Sequence, residues 1–137
     1  MRGYTSPMAE PTPLSILIID DDKNQRNMLA FALRDKGYDV VAVDSGAQAL
    51  EEAGKRTFDA AVCDIMMPGI NGVDTLKQLK LAQPGLQVIM ATAYATSALA
   101  TASMKSGAFG YIAKPYELKE LFGVLERAVV RDARKEP

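Results

Sequence analysis

Five short apolar runs recur along this 137-residue chain, each divided from the next by a segment with helical periodicity. The runs are "SILIID" (15–20), "DVVAV" (39–43), "DAAVC" (59–63), "LQVIMA" (86–91) and "GYIA" (110–113), and their starts lie roughly 20 to 27 residues apart. A hairpin does not use so much chain, whereas a strand–helix–strand crossover requires it. The first and fourth runs are continuously apolar, as strands buried on both faces must be. Helical stripes lie between the runs at Met28, Leu29, Ala32 and Leu33, at Ala47 and Leu50, and at Val73, Leu76 and Leu79, and Leu118, Leu121, Leu125 and Ala128 mark a last one after the fifth run. Ser45 with Gln48 forms a capping-box pattern, and Gly37 and the pair Pro84-Gly85 punctuate helix ends. The pattern predicts an α/β protein, an open five-stranded parallel sheet with helices on both faces.

The organised region runs from 14 to 131. Residues 1–13, "MRGYTSPMAEPTP", carry three prolines and no apolar period, and read as a flexible leader whose first seven residues resemble an expression tag. Residues 132–137 read as a fraying helix end or the start of a linker. Hydrophobic residues make up 48% of the chain, enough for one domain with a real core. Lys plus Arg (16) balances Asp plus Glu (17), so net charge provides no argument for nucleic acid or an anionic membrane as partner. No run approaches a membrane span and no secretory signal is visible. The single cysteine, Cys63, excludes an intrachain disulfide and suits the cytoplasm. The chain contains no histidine, which excludes histidine-ligated metal, histidine-based triads and a phosphohistidine carrier role.

Ligands of open parallel sheets bind outside the carboxyl ends of the strands. Those ends carry Asp20-Asp21-Asp22 after the first strand, Asp64 after the third, Thr92 after the fourth and Lys114-Pro115 after the fifth. Asp22, with Gln25 three residues on, suits a helix N-cap. Asp20, Asp21 and Asp64 would gather a charge of −3. Mg2+ and Lys114 together offset it, and oxygen-only ligands favour magnesium over zinc. A cation there also lets a phosphoryl group approach a carboxylate.

Four segments, the Asp20-Asp21 doublet, "DIMMPGING" (64–72), "ATAY" (91–94) and "GAFGYIAKPY" (107–116), resemble in order and spacing the receiver domain of two-component response regulators. The resemblance covers residues 14 to 131. It implies a doubly wound, flavodoxin-like fold with strand order 2-1-3-4-5. It also implies a regulatory phospho-acceptor and not an enzyme with a substrate of its own. Asp64 resembles the acceptor, and Asp20, Asp21, Asp64 and the backbone carbonyl of Met66 resemble the Mg2+ ligands. Thr92 resembles the switch hydroxyl, Lys114 the phosphate-pairing lysine before a typically cis Pro115, and Tyr111 the aromatic switch residue. Met66 and Tyr94 occupy the two positions that flank the path of hydrolytic water. The implied partners are a sensor histidine kinase or phosphotransfer protein and an output domain or target. A homodimer through the fourth helix, fifth strand and fifth helix is a further implication; direct nucleic-acid or membrane binding by this chain is not. The chain ends after the fifth helix, as in a single-domain regulator or an amino-terminal module.

An aspartyl-phosphate phosphohydrolase is the competing enzyme reading. Such enzymes often place a second aspartate two residues after the nucleophile, where this chain has Met66. A nucleotide or flavin module would want a Gly-rich loop after the first strand, where three aspartates stand. A degenerate, scaffold-only receiver is disfavoured because every expected polar position is filled. Cys63 reads as an inert core residue and Arg26 as cover for a helix face.

Overall fold

A computed structural model describes residues 13–64, 66–67, 70–93 and 97–134. The leader up to residue 12, the last three residues and Tyr94 therefore lie outside the described residues. The elements are β1 (Ser15–Ile19), α1 (Lys23–Asp35), β2 (Asp39–Val43), α2 (Gly46–Ala53), β3 (Ala60–Asp64), β4 (Met66–Met67), β5 (Ile70–Asn71), α3 (Gly72–Ala82), β6 (Gln87–Thr92), α4 (Ser97–Lys105), β7 (Gly110–Ala113) and α5 (Leu118–Arg134). The main sheet is parallel with order β2-β1-β3-β6-β7, the doubly wound order expected from the sequence. β4 and β5 form a separate antiparallel pair with Met66 opposite Asn71, which apolar periodicity did not foreshadow.

Alternation along the strands divides the core into two layers. Ile16, Ile18, Ala60, Val62, Ile89 and Ile112 pack with Leu29 and Leu33 of α1 and Leu121 and Leu125 of α5. Leu17, Ile19, Ala61, Cys63, Val88 and Met90 pack with Ala49 of α2 and Leu76 and Leu79 of α3. Each of the four β1 side chains Ile16 to Ile19 is fully buried. Burial of each contributes about 2 kcal/mol.

Two expected stripes shift by a residue or two. On α1 the buried residues are Leu29, Ala30 and Leu33, while Met28 is 58% exposed. At 100° per residue, Met28 falls outside the arc that positions 29, 30 and 33 share. On α2 the buried residues are Gly46, Ala49 and Ala53, and Ala47 faces solvent. The α3 and α5 stripes stand as read, with Val73 and Leu118 only partly covered. α5 continues through Arg134, into the stretch read as tail.

The helix ends follow local chemistry. Asp22 caps α1, its carboxylate accepting from the N–H groups of Asn24 (3.0 Å) and Gln25 (3.1 Å). Ser45 caps α2 through the Gln48 N–H, and the Gln48 side chain reaches back to the N–H of Asp44, one residue earlier than a capping box requires. At the end of α1 the N–H of Tyr38 donates to Leu33 and that of Gly37 to Arg34, a Schellman closure that needs φ +99° at Gly37. Gly107 closes α4 in the same way at φ +102°.

Candidate functional site

Strand register alone brings the chemistry together. Ile19 is level with Cys63, so Asp20 and Asp64 emerge side by side from adjacent strands. Asp64 is level with Ala91, and Thr92 with Ala113, so Lys114 leaves β7 beside the end of β6. The Lys114 N–H donates to the Thr92 carbonyl at 2.8 Å, which extends the ladder one residue beyond the strand. The peptide from Lys114 to Pro115 is cis.

From there the Lys114 ammonium donates to Asp20 Oδ2 (3.2 Å) and Asp64 Oδ2 (3.1 Å). Its side chain is 14% exposed, and those of Asp20 and Asp64 are 10% and 12% exposed. Burial alone would lower the Lys114 pKa. The hydrogen bond to Asp64 and the charges of Asp20 and Asp64 outweigh it, and the net shift is upward. The ammonium is therefore firmly charged at neutral pH.

Asp21 completes the cluster. One carboxylate oxygen from each of Asp20, Asp21 and Asp64 can be chosen so that all three lie within 4.8 Å of one another. Asp20 is buried, Asp64 half-buried and Asp21 exposed, so the group opens to solvent on the Asp21 side. Three carboxylates and one ammonium sum to −2, and the donors are all oxygen. That set fits a hard divalent cation, with room left for water or a phosphoryl oxygen.

Thr92 is fully buried at the end of β6. Tyr111 pairs with Met90 in register and is 47% exposed. By alternation its side chain stands on the sheet face opposite Lys114, so it does not belong to the acid cluster. The Met66 main chain is held by the β4–β5 pair two residues past Asp64. Cys63 is fully buried, and burial, then the charges of Asp64 and Asp20, push its thiol far up, which makes it inert as read.

Two residues join the site that the sequence did not assign to it. Arg26 does not simply cover a helix face: its Nη1 donates to the Asp20 carbonyl at 2.9 Å. Tyr116 lies close enough to feel Lys114, Asp20 and Asp64, although burial is the main cause of its raised pKa. Tyr116 also lines a cavity of about 120 Å³ with Gln25, Met28, Leu29, Lys114, Pro115 and Leu118. Proximity to the Asp-Lys pattern was the only available signal for Tyr116. For Arg26 the signal was its place one turn into the helix that Asp22 starts.

A family model described as the response regulator receiver domain matches residues 16–126. The transcriptional regulatory protein ZraR of Escherichia coli is 38% identical over 116 residues, covering 85% of this chain and 26% of ZraR. The DNA-binding response regulator MtrA of Mycolicibacterium smegmatis is 35% identical over 122 residues, 89% of this chain and 53% of MtrA. This chain thus spans about a quarter of ZraR and about half of MtrA. Among solved structures, a CheY-like response regulator receiver domain from Methanospirillum hungatei superposes with TM-score 0.88 at 27% identity, covering 90% of this chain and 99% of that one. NtrX of Brucella abortus superposes with TM-score 0.84 at 27% identity, over 90% of this chain and 28% of NtrX.

Proposed function

The chain belongs to the response regulator receiver domain family, and from that premise we propose that it is switched by phosphorylation of Asp64. The observation that carries this reading is the Lys114 ammonium bridging Asp20 and Asp64 beside a third carboxylate, at the carboxyl edge of the sheet. In this reading Asp20, Asp21, Asp64 and the Met66 carbonyl hold Mg2+. The ion would supply charge neutralisation for an incoming phosphoryl group. Asp64 attacks phosphorus, a P–O bond forms, and the P–N bond of a donor phosphohistidine breaks with the electron pair leaving on nitrogen. Lys114 then pairs with phosphoryl oxygens, and Thr92 donates its hydroxyl to them. The chain has no histidine, so the donor is a separate kinase or phosphotransfer domain.

The output surface is formed by α4, β7 and α5, with Tyr111 reporting the state of the site. Met104 and Tyr111 are each 47% exposed on this side and supply apolar area for a target, an output domain or a second copy of the chain. The domain is regulatory, assists its own phosphorylation and dephosphorylation, and is assigned to the cytoplasm as a relative of transcription regulators. No helix among the described residues is long and apolar enough to cross a membrane. The phosphohydrolase alternative gains nothing, because no acid stands two residues beyond Asp64.

The test is intact mass after incubation with acetyl phosphate and Mg2+. Wild type gains one phosphoryl group and Asp64→Asn gains none. Equal labelling of both would remove Asp64 from the role.

A further inference from the structure

We propose that Arg26 is a positioning residue that aims the carboxylates of the cation site; the proposal rests on the reading above that Asp20, Asp21 and Asp64 bind a divalent ion. The main chain leaves the sheet at Asp20 and enters α1 at Lys23, so three residues must make the turn. Asp20 is fixed at every polar atom within that turn. Its N–H donates to Val43 O at 3.1 Å, its Oδ1 accepts from the Asp22 N–H at 2.9 Å, and its Oδ2 accepts from Lys114. Its carbonyl has the Arg26 guanidinium as donor, at 2.9 Å.

Arg26 is also tied to the far side of the same turn. Its backbone N–H donates to the Asp22 carbonyl at 2.9 Å, while the Asp22 side chain caps the helix. One residue therefore grips both ends of the Asp20–Asp22 turn, by side chain at one and main chain at the other. Asp21 lies between the two grips. It is the exposed member of the triad, so neighbouring side chains do little to aim it. Its direction follows from the backbone on either side. A backbone rotation of about 20° at Asp21 moves a carboxylate oxygen by about 1 Å. Metal coordination tolerates only a few tenths of an ångström.

The guanidinium also brings positive charge toward the site, and charge alone would repel a cation. Positioning and charge thus act on Mg2+ affinity with opposite signs, which makes the proposal decidable. Mg2+ binding to the whole chain is measured by titration calorimetry at fixed ionic strength, with thermal unfolding in metal-free buffer as the control for the fold. The variants are Arg26→Met, which keeps the apolar stem, and Arg26→Lys, which keeps the charge and one donor. Arg26→Met weakens Mg2+ binding roughly tenfold, the size typical of losing a partner that orients metal ligands, and Arg26→Lys recovers most of that loss. Arg26→Gln, whose amide is too short to reach the Asp20 carbonyl, replaces Arg26→Met if that variant does not fold. Unchanged or tighter Mg2+ binding without the guanidinium overturns the proposal, even with a lowered melting temperature, because Arg26 would then be a charge or a packing element only. An equal loss in Arg26→Lys overturns it as well, since the hydrogen bond would not be the cause. No Mg2+ binding by wild type removes the cation reading itself, whereas wild-type binding unaffected by the variants removes only the role of Arg26.

Discussion

Replacing Lys114 by methionine tests whether the acid cluster is held together by charge. The substitution keeps much of the apolar stem but removes the ammonium that bridges Asp20 and Asp64 at 3.2 and 3.1 Å. Removing one partner of a buried ion pair costs about 3–5 kcal/mol, because the remaining charges are left uncompensated. Here three carboxylates remain, and the two that lose a partner are only 10% and 12% exposed. That small exposure admits some water, so the lower end applies, a loss of about 3 kcal/mol at pH 7 without divalent ions. The sign of the pH term agrees. The Lys114 pKa is raised in the fold, so its contribution is complete below the ordinary lysine value and is lost only as pH rises through the folded value.

Urea unfolding measures the effect. With a slope of about 1.5 kcal/mol per molar, the midpoint of Lys114→Met falls by about 2 M. Mg2+ then discriminates the cause. The ion replaces the missing positive charge and no longer meets the repulsion of the ammonium, so it stabilises the variant more than wild type, by about 1.4 kcal/mol for each tenfold gain in affinity. A midpoint equal to wild type, or a Mg2+ increment no larger than that of wild type, would refute the reasoning.

Four further outcomes are expected. Ser103 is fully buried on α4 and its hydroxyl has no hydrogen-bond partner among the described residues, so Ser103→Ala raises stability by about 1 kcal/mol in urea titrations; a loss would show that the hydroxyl is satisfied. Gly37→Ala and Gly107→Ala each cost about 1 kcal/mol from backbone strain, since a Cβ at Gly37 would meet nothing among the described residues and one at Gly107 would make only ordinary contact, 3.4 Å, with Lys80 carbons; a wild-type midpoint in either variant would contradict this. Tyr38 has its pKa raised by burial and then by Glu126, so its contribution is complete below pH 10 and is lost as pH rises through the folded value; Tyr38→Phe should flatten the alkaline loss of stability, and an unchanged slope above pH 10 counts against that. On the proposed phospho-acceptor reading, with Met66 and Tyr94 at the positions that the receiver resemblance places beside the water path, Met66→Asn and Tyr94→Glu should speed decay of phospho-Asp64, because polar side chains orient water better than bulky ones; equal or slower decay by intact mass would contradict the shielding argument.

The parts of the fold legible in the sequence are those governed by burial on two faces. The run from Ile16 to Ile19 and that from Val88 to Ala91 leave no side-chain polar atom to face solvent, and the structure puts both on interior strands, one on each side of β3. Strand ends were legible for a related reason: a carboxylate directly after such a run has to stand at the sheet's edge. Register then brings Asp20 and Asp64 within reach of Lys114, residues 94 and 50 positions away. What the sequence concealed depends on single long side chains meeting main-chain groups. Gln83 follows α3 and reads as loop. Yet its amide accepts from the Phe58 N–H and donates to the carbonyls of Ala53 and Arg56, tying the end of α3 to the α2–β3 connection. Lys80 likewise donates to the carbonyls of Pro84 and Leu86, with its methylenes against Gly107.

Arg26 is of the same kind. A main-chain carbonyl has no residue type, so no pattern of residue types reveals that it has acquired a side-chain donor. Apolar periodicity therefore locates the sheet and its acidic edge, while the bonds that fix the precise aim of that edge emerge only from the folded chain. The difference follows from energetics. Burial of a whole strand is worth many kcal/mol and constrains every residue in it. A single hydrogen bond to a carbonyl is worth about 1 kcal/mol and constrains one position only. On the proposed cation reading, however, the requirement at the Asp20–Asp22 turn is ångström-level placement of carboxylate oxygens and not stability. A contact too weak to mark the sequence can there govern how tightly a cation is held, and the affinity of Arg26→Met for Mg2+ measures that control directly.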